Sequence, residues 1–143
     1  RKRHERQGVL VEAAAIEKAK EECTRDAARR EKARERRRAK DEAADREYVA
    51  RFAERILELY PVCPRADADA IARHACEKYS GRVGRSAGAK QFNARAITLA
   101  VQAYIRHQHT SYDELLAQGL EPFEARPMAA DRIKDLLYRW RGD

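Results

Sequence analysis

Apolar residues are spread unevenly along the chain, and their spacing predicts helices. From Val9 to Tyr60 there is no Gly and no Pro, and Ala, Glu, Lys and Arg dominate, so one long helix is predicted over that stretch. It opens on a short apolar patch, Val9, Leu10, Val11 and Ile16, which reads equally as a docking point for a partner or as a local turn contact. The preceding Arg1–Gly8 is polar and reads as an extended or disordered arm. At Tyr48 the pattern changes. Tyr48, Val49, Phe52, Ile56, Leu59 and Tyr60 fall on one helical face, as expected of a helix packed on a core. Pro61 and Pro64 end it.

Beyond this point the periodicity predicts a second helix over about Asp67–Tyr79, with Asp67 as N-cap, Gly81 as the residue past its end, and Ile71, Ala75 and Tyr79 inward. A third helix, about Ala89–His107, is expected to bury Phe92, Ala96, Leu99, Ala100, Ala103 and Tyr104. Thr110 and Asp113 have capping-box spacing, with Asp in place of the usual Glu, before a short helix over Ser111–Gln118 closed by Gly119. A last helix follows Pro122 or Pro127, with Met128, Ile133, Leu136, Leu137 and Trp140 as its apolar face. No strand and no internal repeat is predicted. The expected architecture is all-α: a long basic N-terminal helix (within residues 1–47) projecting from a small four- or five-helix bundle (48–143).

Charge changes the meaning of the first part. Arg25–Lys40 holds nine Lys/Arg, three Asp/Glu and no large apolar residue. A basic helix with no apolar stripe does not belong in a core, so it lies in solvent or against something anionic. A coiled coil is disfavoured, because between Glu17 and Glu47 only Ala and Cys23 are offered for a seam. The formal net charge is +7, and 18 positive against 13 negative residues lie up to Arg55, compared with 13 against 11 after it. Such an excess speaks about partners, and nucleic acid or an anionic membrane surface are the usual ones.

Three widely spaced cysteines, Cys23, Cys63 and Cys76, do not form a disulfide framework and fit a reducing intracellular compartment, with mitochondrion, nucleus and cytoplasm left open. No run has the length of a membrane span or the character of a signal peptide. The chain opens on Arg1, which fits a processed product or a piece of a longer protein.

Three constellations bear on chemistry. The loop Gly81–Gly88 carries three glycines with Arg82 and Arg85, which suits backbone and guanidinium contacts to phosphate. It lacks the Gly-Lys-Ser/Thr ending and the preceding strand of a P-loop, and a plain interhelix turn with solvated arginines is the favoured reading. His74, Cys76, His107 and His109 have zinc-ligand residue types, but the pairs are too closely spaced for a structural site, so no metal is expected. Hydrogen bonding that holds the corner around Tyr112 is the better role for them. His74 and Cys76, two residues apart, face different sides of a helix, which argues against a nucleophile–base pair.

The order of motifs Gly81-Arg-Val-Gly-Arg-Ser, Ala100–His107, Thr110–Leu116, Gly119, Ala125-Arg126 and Trp140-Arg141 resembles a family known only as a domain of unknown function. The resemblance covers about Tyr48–Arg141 and implies a domain boundary. It brings no activity, ligand or catalytic residue, and Pro127 departs from its pattern, because the helix there would simply continue.

The function expected is non-enzymatic nucleic-acid binding without a cofactor. Structured RNA is favoured over duplex DNA, as in a ribosome-like ribonucleoprotein with protein neighbours, and a membrane is not expected. The contact residues expected are Arg25, Arg29, Arg30, Lys32, Arg34, Arg36, Arg37, Arg38 and Lys40 on the helix, with Arg82 and Arg85 in the loop. The alternatives are a scaffold whose basic helix binds an acidic protein, a duplex DNA-binding protein and, last, an enzyme of unknown type.

Overall fold

The computed structural model describes residues 8–142; the arm expected over Arg1–Gly8 lies, except for Gly8, outside them. The described residues form six α-helices and no strand: α1 (Ala13–Leu59), α2 (Arg65–Ala75), α3 (Ala87–Lys90), α4 (Ala94–Gln108), α5 (Tyr112–Ala117) and α6 (Pro122–Arg141), with a 3-10 turn at Val83–Arg85. The chain divides into two compact units between Ala43 and Ala44, within α1.

In the first unit, residues 13–43 of α1 are exposed apart from the half-buried Asp26. Helix is favoured there by composition and by side-chain pairs one turn apart, such as Lys20 with Glu17 at 2.7 Å and Arg29 with Asp26 at 3.1 Å. Each exposed pair adds only a few tenths of a kcal/mol, at about 0.2–0.5.

The second unit holds the core. Phe52 and Ile56 of α1, and Tyr60 just past its end, are fully buried among Ile71, Ile97 and Val101. α2, α5 and α6 pack on α4, and α5 packs also on α6. The Tyr60 hydroxyl and Thr98 Oγ1 lie 3.0 Å apart, and the Tyr104 hydroxyl donates to Asp67 at 2.8 Å, whereas His109 Nε2, expected to hydrogen-bond, is buried without a partner among the described residues. The Val62 amide donates to the Trp140 carbonyl at 2.9 Å, joining the Pro61 turn to the end of α6.

Several expected boundaries and faces differ. α2 begins at Arg65, after Pro64, so Asp67 is not its cap but lies in its first turn, where it accepts from Tyr104. The helix stops at Ala75, and Tyr79, expected inward, is fully exposed with a positive φ of 61°. The expected third helix is two helices, α3 and α4. Phe92 adopts φ 52° between them, and Asn93 caps α4 by accepting from the Arg95 amide at 2.8 Å. The inward face of α4 is shifted as well. Leu99 is 47% exposed, while Ile97, Val101 and Ile105 are buried. Thr110 and Asp113 do not form a capping box. Thr110 Oγ1 accepts from the Tyr112 amide and donates to the Arg106 carbonyl, while Asp113 takes His107. The capping box is at α6 instead, where Glu121 and Glu124 satisfy each other's backbone amides, and this sets the helix start at Pro122. Pro127 therefore sits inside α6; the amide it lacks would have met the carbonyl of Phe123, a residue 72% exposed. Met128, expected inward, is 63% exposed, and Ala125 and Ala129 take the buried face.

Candidate nucleic-acid interface

The nine basic residues of Arg25–Lys40 are all exposed and all helical, but they are not equivalent. At 3.6 residues per turn, Arg25, Arg29, Lys32, Arg36 and Lys40 share a sector of about 80°. These five positions span roughly 22 Å of helix at 1.5 Å per residue. Glu31, Glu35 and Glu42 line a different sector. They draw two of the four remaining arginines: Arg34 meets Glu31 at 3.6 Å and Arg38 meets Glu42 at 3.6 Å, while Arg37 lies off the stripe with no ion pair among the described residues. Arg30 bends back to the Cys23 carbonyl. Within the stripe only Arg29 has an acidic partner, Asp26; Arg25, Lys32, Arg36 and Lys40 form no ion pair among the described residues. The helix is thus zoned, with one face of open cations and another where charges are neutralised internally.

The glycine–arginine loop is built differently. The Arg85 guanidinium donates to the Cys76 carbonyl and to Asp45, and lies over the Tyr48 ring at 5.0 Å from its centre. Tyr48 in turn donates to the Gly84 carbonyl at 2.7 Å. Gly84 is buried so closely that a Cβ there would lie 2.5 Å from the Ala75 carbonyl oxygen. The loop is therefore clamped between α1 and the end of α2, with Arg85 as the clamp rather than a solvated arginine. Arg82 pairs with Glu77. Burial pushes the Asp45 carboxyl up, but the hydrogen bond and charge of Arg85, and then those of Lys78 at 3.4 Å, outweigh it and leave the group below its ordinary value. Asp45 carries no signal in the sequence, because its partner lies 40 residues away and no periodicity links them.

The histidines and cysteines are dispersed. His107 Nδ1 lies 2.7 Å from Asp113 and its ring meets Tyr112 edge-on. His109 is wedged between Tyr104 and Trp140, with ring centres 5.7 and 5.8 Å away. Burial, reinforced by the Asp67 carboxylate, pushes the Cys63 thiol up to about 12, and burial pushes Cys76 up to about 11. Thiols held protonated in this way are poor nucleophiles and poor metal ligands at neutral pH. Among the described residues, no group of three or more His, Cys, Asp or Glu comes together to hold a metal ion. No described helix is long and apolar enough to cross a membrane.

A cleft of about 890 Å³ opens between α2 and α4. Its wall is apolar at Ile71, Ala75 and Val83, and its rim carries Arg106, His107 and Asp113. Burial and the Asp67 hydrogen bond raise the Tyr104 hydroxyl at this cleft to about 12, so it stays a neutral donor.

An all-α protein with a long basic helix and a helical bundle is the class these features define. The model of the uncharacterized conserved protein family DUF2293 matches residues 55–141, more than half of the chain, and the chain belongs to that family. No curated protein and no solved structure matches it.

Proposed function

We propose that the protein binds nucleic acid, with structured RNA as the preferred form, through phosphate contacts along the open stripe of α1. The observation that carries this reading is the five-residue stripe Arg25, Arg29, Lys32, Arg36 and Lys40, exposed on one helical face with four of its cations unpaired among the described residues. A line of unpaired cations gains by displacing the counterions of a polyanion, and it does so without reading bases. The stripe offers no aromatic side chain on which a base would stack, which directs recognition to the backbone. Structured RNA suits this mode because proteins read its duplexes by shape and backbone.

Arg82 and Arg85 drop out of the proposed interface, since both are engaged within the fold. Fluorescence anisotropy with an RNA duplex, a DNA duplex and a polyglutamate peptide tests the reading. Replacing Arg25, Lys32 and Arg36 with Gln together should weaken RNA binding far more than replacing Arg34 and Arg38, which are already neutralised. Equal losses for the two variants would mean that net charge alone is sensed. Binding of the peptide in place of RNA would make the protein a scaffold for an acidic partner.

A further inference from the structure

We propose that the cleft between α2 and α4 binds a nucleotide-sized phosphomonoester, with a planar ring on its alanine floor and the phosphate at Arg106 and His107. The volume of about 890 Å³ lies within the range of small-molecule sites, about 300–1,000 Å³. Ala75 of α2 and Ala100 and Ala103 of α4 line the cleft side by side, and short side chains from two helices leave a flat apolar surface suited to a ring face. Val83 also lines it. Its position is held by Gly84, whose backbone lies against the Ala75 carbonyl too closely for any other residue.

The rim carries the charge. Arg106 has no carboxylate partner among the described residues, and its guanidinium rests over the Tyr112 ring at 5.6 Å from the centre. The ring face holds the guanidinium in place, and its N–H donors make no hydrogen bond among the described residues, so they are left for a phosphate, which arginine can grip through two parallel bonds. His107 is oriented by the 2.7 Å contact of Nδ1 with Asp113, so Nε2 is the ring nitrogen left for a ligand. Arg82 and His74 also line the cleft, Arg82 already paired with Glu77. With Arg82 held by Glu77 and Asp113 engaged by His107, Arg106 is the lining cation left without a carboxylate among the described residues, and it is the group that complements an anion. This site is separate from the helix stripe, and each can fail without the other.

Isothermal titration of the full chain with adenosine monophosphate, adenosine and inorganic phosphate tests the proposal. The monophosphate should bind saturably, and adenosine at least about tenfold more weakly, since it lacks the group that Arg106 would hold. Arg106→Gln should weaken the monophosphate by about tenfold or more, as loss of a charge-assisted bond does. Ala103→Leu, which fills the floor, should weaken it comparably, while Arg36→Gln should leave it unchanged. If Arg106→Gln lowers the melting temperature, His107→Gln supplies the same test. A 5′-phosphorylated adenosine trinucleotide, titrated into the chain with Arg25, Lys32 and Arg36 replaced by Gln, separates the two sources of the chemistry. Preference for it over its 5′-hydroxyl form assigns the cleft to strand ends; binding of the monophosphate alone assigns it to free nucleotides. No saturable heat up to about 5 mM monophosphate, a concentration that would reveal even millimolar affinity, overturns the proposal. So does adenosine binding as well as its monophosphate, or wild-type binding by both Arg106→Gln and Ala103→Leu.

Discussion

The arginines of α1 and the arginine of the glycine loop look alike in composition and are opposite in role. Arg25 and Arg36 stand in solvent with no carboxylate partner among the described residues, whereas Arg85 is three-quarters buried and spends its donors on Asp45 and the Cys76 carbonyl. The difference comes from neighbours. On α1 an acidic residue reaches the stripe only at Arg29, which pairs with Asp26, while Glu31 and Glu42 pair with arginines off it. At the loop the chain folds back, and Asp45 and Tyr48 close around the guanidinium. A basic residue is open to a partner only when the fold supplies no anion of its own, and that is decided by long-range packing as much as by local charge.

The largest contrast is chemical. Cys23 is exposed while Cys63 and Cys76 are buried with raised thiol values. Iodoacetamide should label Cys23 alone in the native protein, with the buried pair reacting at least ~100-fold faster after denaturation, because the thiolate is the reacting form. Mass spectrometry counts the adducts; three in the native state would break the distinction between the two regions.

Packing gives the next effect. Phe52 is fully buried, and Phe52→Ala should cost about 3–5 kcal/mol in urea denaturation. Arg36→Gln, on the exposed part of the same helix, should stay within about 0.5 kcal/mol.

Arg85→Gln falls between these, at a loss of about 1–3 kcal/mol, because half-buried Asp45 would lose its closer charged donor and keep only Lys78 at 3.4 Å. The Asp45 clamp also has a pH signature. Its carboxyl is held below the ordinary value, so its contribution is present above about pH 4 and fades as the pH falls through the folded-state value. Arg85→Gln should flatten the acid limb of stability below about pH 4; an unchanged limb would remove Asp45 from the account.

Much of the fold was legible because helical periodicity is local. The long helix, the inward face of Phe52, Ile56 and Tyr60, and the C-terminal face of Ile133, Leu136, Leu137 and Trp140 follow from spacing alone. Errors arose where one residue breaks the register. Phe92 with its positive φ splits the third predicted helix, and the new start at Ala94 turns Leu99 outward and Ile97, Val101 and Ile105 inward. Pro64 starts α2 early, since proline suits the position before a first turn, and Asp67 is freed for Tyr104. The five stripe residues stand among the nine basic residues expected on α1, but their separation from Arg30, Arg34, Arg37 and Arg38 came only with the helix and its side-chain contacts. The Asp45–Arg85 clamp was not, for it depends on contact across 40 positions.

The salt dependence of RNA binding tests the central claim most directly. With about five phosphates neutralised, the plot of log affinity against log salt should have a slope of about −3.5 to −4.5, at roughly 0.7–0.9 per contact. Replacing Arg25, Lys32 and Arg36 with Gln should make that slope shallower by about 2–3, while helicity is retained because Gln is a good helix former. A triple variant with the wild-type slope and affinity would contradict the account and leave the stripe without a polyanion to bind.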